Sequence, residues 1–132
     1  MIESGVCRTY KVDVLRGIHS EDDTYYMALY TDAANIGPQT ERYSPNGEIV
    51  GSGYEQGGKK IDLRVVSDAY GAAITFDEQV WEIATIAANG SMIYNASKGN
   101  RAVAVMAFAE EVSSVNGKFT VKSDSGQLIR II

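Results

Sequence analysis

Residues 60–76, KIDLRVVSDAYGAAITF, and residues 80–95, VWEIATIAANGSMIYN, decide the fold. In the first run Ile61, Leu63 and Val65 alternate with Asp62 and Arg64. Successive side chains of a strand point to opposite faces, so this period of two predicts a strand with one dry and one wet face. Ala72, Ile74 and Phe76 repeat the pattern after Ser67-Asp68 and Gly71. Val80–Ile86 is a denser apolar strand, and Asn89-Gly90 is a hairpin signal before Met92-Ile93-Tyr94. Asn95–Asn100 reads as a further turn, and Arg101–Phe108 as a central strand buried on both faces. Asn116-Gly117 precedes a strand at Lys118–Lys122, and Ser123–Gly126 turns into Leu128–Ile132. Short strands at intervals of about 8–12 residues, punctuated by Asn, Gly and Ser, predict an all-β sandwich or barrel.

Upstream, TYYMALYT at 24–31 is aromatic and β-prone. Its alternation sets Tyr25, Met27 and Leu29 against Tyr26, Ala28 and Tyr30, with both faces covered. Residues 6–18, VCRTYKVDVLRGI, form the one helical pattern. Cys7, Tyr10, Val14 and Ile18 make its stripe, Ser4 is the candidate N-cap, and Gly17 weakens its end. Residues 32–60 carry Pro38, Pro45, Asn46-Gly47, Gly51, Gly53 and Gly57-Gly58, with a short strand expected only at Glu48–Val50. A loop of this length in a compact domain is uncommon unless it has a task, so it reads as an extended arm or lid.

The chain has 132 residues, enough for one domain with its own core. That size excludes a multidomain enzyme, a (β/α)₈ barrel and a long repeat solenoid. Twelve basic against 17 acidic residues give a net charge of −5, without the basic surplus of nucleic-acid binders. Residues 1–58 hold nine acids and four bases, whereas 59–132 hold eight of each. Cys7 is the one cysteine, so no internal disulfide forms; it reads as a small buried hydrophobe. No apolar run reaches the roughly 18 residues of a membrane span, and MIESGVCRTYK lacks the apolar core of a secretory signal. The sequons at Asn89 and Asn95 read as chance matches in turns.

Chemistry-bearing motifs are sparse. Gly53–Lys59 matches G-x-x-x-x-G-K, but Lys60 stands where a phosphate loop needs Ser or Thr, and a strand pattern follows where it needs a helix. His19 is the only histidine and reads as a polar loop residue or helix C-terminal cap. The acidic pairs Asp22-Asp23, Asp77-Glu78 and Glu110-Glu111 read as solvated turns, because neighbours on a strand face opposite ways. Trp81 sits in a dense apolar strand and reads as core more than as a sugar-stacking surface. Tyr43 and Tyr54 have little local core to join and read as contact anchors on the arm. No catalytic, cofactor-binding or metal-ligating set is assigned, and the chain reads as a non-enzyme.

Several segments then carry a resemblance in their order: VDVLRGIH at 12–19, YMALYT at 26–31, GEIVGSGYEQGG at 47–58, ATIAANGSMIYN at 84–95, Ala102–Phe108 and NGKFTV at 116–121. From about Lys11 onward the chain resembles a family of small structural proteins of tailed bacteriophages. The resemblance implies a virion component made in the bacterial host cytoplasm: a capsid decoration, or cement, protein with a jelly-roll-like antiparallel β-sandwich. It implies no cofactor and no catalytic residue. Its partners would be the major capsid protein and further copies of itself, as a dimer or trimer, with no nucleic acid or membrane. The expected contact region is the 32–60 excursion, through Tyr43, Gly53, Tyr54, Gly57 and Gly58. The alternatives are a tail or head–tail junction subunit and a carbohydrate-binding β-sandwich.

Overall fold

The computed structural model describes residues 1–122 and 127–131. The turn expected at Ser123–Gly126 lies outside them. In chain order the elements are β1 (Gly5–Val6), α1 (Arg8–Leu15), β2 (Tyr25–Tyr30), β3 (Lys59–Ile61), β4 (Leu63–Ser67), β5 (Ala72–Phe76), β6 (Gln79–Asn95), β7 (Arg101–Val121) and β8 (Gln127–Ile131). They form two antiparallel sheets, ordered β1-β7-β6-β2-β3 and β4-β5-β8. The all-β, two-sheet architecture with one short helix is as expected; the five-plus-three strand orders leave the finer jelly-roll pattern unsupported.

The long β6–β7 hairpin is the backbone of the molecule. Its turn is Asn95–Asn100, where Ala96–Lys98 make a 3₁₀ turn and Gly99 and Asn100 take left-handed backbone. Asn89-Gly90 is not a turn. Both residues run within β6, and neither has the positive φ that an Asn-Gly hairpin turn requires. Gly90 is there for space: a Cβ on it would lie 2.8 Å from both Met106 O and the Ile2 side chain. Asn116-Gly117 likewise falls inside β7, at a bulge.

Pairing along this hairpin slips repeatedly. Ala88 faces Val112 while Gly90 faces Ala107, so two steps along β6 span five along β7. Ala84 faces Gly117 and Ile86 faces Ser114, a second bulge. On its outer side β7 pairs with β1 only at Ala104 and Val105.

Helix α1 is shorter than the 6–18 pattern. Cys7 is its N-cap, and Ser4 Oγ instead accepts from Ala107 N at 2.8 Å. At its end Gly17 N donates to Val14 O and Ile18 N to Asp13 O, a Schellman closure around left-handed Gly17. The buried face is Cys7, Tyr10 and Asp13, while Val14 is 39% exposed. The stripe turns because Asp13 is drawn inward by two basic partners described below.

In β2, Tyr25, Met27 and Leu29 share a face with Asn95, Ile93 and Ser91 of β6. Tyr26, Ala28 and Tyr30 share the other with Tyr94, Met92 and Gly90. Both faces of β2 are covered, as its composition demanded.

Residues 32–60 do not project as an arm. Ala34, Ile36 and Ile49 are buried in the common core, and Tyr43 and Tyr54 pack against it. Thr31 N donates to Gly47 O, Ile49 N to Leu29 O, and Ala102 N to Glu41 O. No strand forms at Glu48–Val50, only isolated bridges from Tyr30 to Glu48 and from Ser52 to Thr85. The physical reason is area: two tyrosines and two isoleucines are too apolar to stay in water beside an uncovered tyrosine face of the sheet.

Candidate functional site

Two polar clusters are built into this frame. The first closes the 32–60 segment on itself. Glu48 Oε1 accepts from the Tyr43 hydroxyl at 2.6 Å. Glu48 Oε2 accepts from the Tyr54 hydroxyl and from Gly57 N at 2.8 Å. Tyr54 in turn accepts from Leu29 N at 3.0 Å, and Ile49 N reaches Leu29 O, so the segment completes the β2 edge just past the end of β3. Tyr43 stacks on Tyr94 at 4.7 Å, and Tyr94 stacks on Tyr26 at 5.9 Å. The Tyr94 hydroxyl donates to Gly57 O, and Tyr30 donates to Ser44 O at 2.8 Å.

Burial pushes the phenols of Tyr30, Tyr43, Tyr54 and Tyr94 upward, Tyr94 to about 12. For Tyr43 and Tyr54 the Glu48 hydrogen bond adds to it, so they remain neutral donors.

The glycines singled out by sequence also serve this closure. Gly58 has φ +90°, and a Cβ on it would sit 2.0 Å from Met27 O. Gly53 has φ +88°, with Ile83 O at 2.3 Å from the same position. Both let one backbone pass against another. Gly57 supplies the N–H and carbonyl to Glu48 and Tyr94. Lys59 opens β3, donates to Val80 O at 2.7 Å and lies 5.5 Å over Trp81, so the G-x-x-x-x-G-K match leads into a strand. Tyr43, Gly53, Tyr54, Gly57 and Gly58 thus have internal partners, where the sequence pointed to an outward contact surface. Trp81 is buried edge-on against Phe119, away from any sugar-stacking pose.

The second cluster joins α1 to the β6–β7 turn. Asp13, only 2% exposed, accepts from Arg101 Nη1 at 3.0 and 3.1 Å and faces His19 Nε2 at 3.2 Å. Asn95 is fully buried, and its Oδ1 accepts from Ser97 N. Its Nδ2 therefore donates, to His19 Nδ1 at 2.9 Å and to Asp23 Oδ2 at 2.8 Å. His19 Nδ1 is thus the acceptor, and Nε2–H donates to Asp13. Both ring nitrogens are spent. Lys98 Nζ lies 2.9 Å from both Asp23 oxygens. Buried Asn95 cannot present its amide for glycosylation.

An apolar cleft of about 210 Å³ lies beside His19, walled by Tyr10, Val14, Val65, Ile74 and Ile129. Neither nitrogen of His19 is free to act in it as a base. Among the described residues no group of three His, Cys, Asp or Glu side chains converges to hold a metal. No helix among them is long and apolar enough to cross a membrane.

Sequence reasoning missed Glu48, Asp13, Asp23 and Asn95. A signal existed for two of them. Glu48 is the acid set between Tyr43 and Tyr54, and Asp13 falls three residues after Tyr10 on the same helix face.

No protein-family model, curated protein or solved structure matches this chain.

The second cluster sets the response to acid. The Asn95 hydrogen bond first, with Lys98 and Ser20 N, holds the Asp23 carboxyl at about 2. A depressed carboxyl contributes stability that is complete above its unfolded value near 4 and is lost as pH falls toward 2. Burial pushes His19 below its ordinary 6.5, outweighing the Asp13 hydrogen bond that raises it. The unfolded chain then takes up that proton first, so acidification through about 6.5 also favours unfolding. The melting temperature is expected to fall between about pH 7 and 5 and again below about pH 4. His19→Gln should flatten the first decline; an unchanged slope in that variant would show that another group causes it.

Proposed function

We propose that this protein is a structural component of a tailed-bacteriophage virion, a capsid decoration (cement) protein that binds the major capsid protein and stabilises the head. One observation supports this reading above the others: its distinctive polar side chains are consumed internally. Glu48, Asp13, His19, Asp23 and Asn95 all bind other parts of the same chain. Such chemistry makes a rigid body rather than a reaction centre. A repeated adhesive subunit needs that rigidity, because ordering a loose surface at each contact would subtract from a small binding energy multiplied over many copies. The ordered sequence resemblance points to the same class.

The test uses capsids prepared without this chain. Added purified protein is expected to co-sediment with them in many copies per particle and to raise the temperature at which the head opens. Saturation at a few copies would favour a tail or junction subunit, and absence of binding would remove the proposal.

A further inference from the structure

Helix α1 and the β4-β5-β8 sheet face each other across an apolar seam that their side chains do not fill. Two adjoining clefts open along it. The cleft of about 210 Å³ beside His19 is walled by Tyr10, Val14, Val65, Ile74 and Ile129. The second, of about 360 Å³, shares Tyr10, Val14 and Ile129 and adds Val6, Lys11, Leu15 and Arg130. The shared walls make one groove, whose size falls in the range of about 300–1,000 Å³ usual for small-molecule sites. Leu15, 89% exposed, and Val65, 55% exposed, leave apolar surface at its lips.

The groove holds few polar groups. Both His19 nitrogens are engaged, with Asn95 and with Asp13. Tyr10 stacks on His19 at 4.7 Å and is only 7% exposed, yet no described residue hydrogen-bonds its hydroxyl. That hydroxyl is not sealed in: among the described residues Ser91 Oγ is the one enclosed side-chain polar atom without a partner. Tyr10 walls both clefts, which puts an unsatisfied hydroxyl where they meet. Burial raises the Tyr10 phenol above its ordinary value, so it stays a donor.

The charges give the groove a direction. Val65 walls only the first cleft, and Glu21 Oε2 accepts from Val65 N at 2.7 Å, so that end carries a carboxylate. Lys11 and Arg130 wall only the second cleft. Arg130 Nη2 lies 2.8 Å from Asp68 and is already balanced. Lys11 is exposed and enters no ion pair among the described residues. Asp13, the one acid of α1, is turned inward to Arg101, so Arg8, Lys11 and Arg16 leave the outer surface of the helix basic.

We propose that this groove binds an amphipathic carboxylate, a small molecule with an aliphatic tail and one anionic head. The tail lies in the first cleft against Val14, Ile74 and Ile129. The head meets Lys11 and accepts from the Tyr10 hydroxyl, and Glu21 repels the reversed orientation. The site does not depend on the proposed virion role, and its test uses the isolated protein.

Full-length protein is titrated with sodium dodecanoate below its micelle concentration, by calorimetry and by melting. Saturable binding at one site and a raised melting temperature are expected. Butyrate, which lacks the tail, and dodecyltrimethylammonium, which reverses the head charge, are each expected to bind about tenfold more weakly or worse. Ala72→Phe fills the first cleft from β5 and should abolish binding. Lys11→Glu, at an exposed position that folding does not require, should weaken binding about tenfold and remove much of its salt dependence. Tyr10→Phe should weaken it about threefold. Lys60→Glu, on β3 and outside the groove, should leave it unchanged. Circular dichroism verifies folding of each variant. Absence of saturable binding overturns the proposal, and so does equal binding by wild type and Lys11→Glu, which would show adsorption elsewhere. Binding to phosphatidylglycerol vesicles without binding of free dodecanoate would make the groove a membrane contact. A wild-type dimer in sedimentation that Ala72→Phe dissolves, again without dodecanoate binding, would make it a self-contact. Either result overturns the assignment.

Discussion

Glu48→Ala is expected to lower the melting temperature by about 10 °C, corresponding to a loss of about 3 kcal/mol. The carboxylate is the common acceptor of Tyr43, Tyr54 and Gly57 N, three donors drawn from one irregular segment. A hydrogen bond to a charged group contributes about 1.5–3 kcal/mol, and the three are not additive because they share one acceptor. Without the carboxylate the two phenols lose their partner in a half-buried setting, and the segment loses its tie to the β2 edge through Tyr54 and Leu29. Glu48→Gln is expected to cost less: it keeps one acceptor oxygen but turns an N–H toward a donor. A second readout separates this role from simple loss of packing. Glu48 helps hold the Tyr43 phenol above its ordinary value, so in Glu48→Ala its phenolate should appear at lower pH by absorbance titration. A melting temperature within about 2 °C of the wild type would show that the segment is held by apolar packing alone.

Asp13→Ala is the second large effect, also about 3 kcal/mol. Asp13 sits under α1 and neutralises Arg101, which reaches it from the start of β7, 88 residues away in sequence. Removing one partner of a buried ion pair leaves a charge without compensation, which costs up to about 3–5 kcal/mol when the remaining ion cannot reach water. The Arg101 side chain is 31% exposed and can partly rehydrate, which places the effect at the lower end. His19 also loses the acceptor for Nε2–H. The double variant Asp13→Ala/Arg101→Ala is therefore expected to cost clearly less than the two single losses together. Additive losses would mean that the pair contributes nothing beyond separate packing, and the account of this cluster would fail.

The strands were legible where their alternation was set by one wet and one dry face. Ile61, Leu63 and Phe76 are buried and Asp62 and Arg64 lie outside, but Asp62 divides the run between β3 and β4 of different sheets, Val65 is 55% exposed, and in β5 Ala73 is buried where Ala72 and Ile74 were expected. Of the 101–108 run, expected to be buried on both faces, Ala102–Val105 are buried, whereas Met106, Ala107 and Phe108 are half-buried, past the last residue that β1 pairs. The hairpin position was not legible. Asn-Gly marks both turns and bulges, and only tertiary packing of Ile2 and Met106 against Gly90 distinguishes them. The helix boundary was approximate because a Schellman closure at Gly17 ends it before Ile18.

The 32–60 segment was misread for a related reason. Its dense Gly and Pro signalled irregular backbone correctly, but irregular backbone is not the same as an unpacked arm. Glycines at 53 and 58 permit close approach to the sheet, and the tyrosines then find a core that is distant in sequence. The second polar cluster was hidden because its members come from α1, the loop after it, the β6–β7 turn and the start of β7, which no local pattern connects.

The slipped pairing between β6 and β7 has a consequence for crowding. The outer margin of β7 beyond Val105 has no neighbouring strand among the described residues, which would ordinarily invite another polypeptide to zip alongside. Its interruptions near 108–111 and 115–116 break the row of amides into stretches too short to template such growth. Molecules set shoulder to shoulder at high density would then remain separate tiles and not fuse into a continuous fibre.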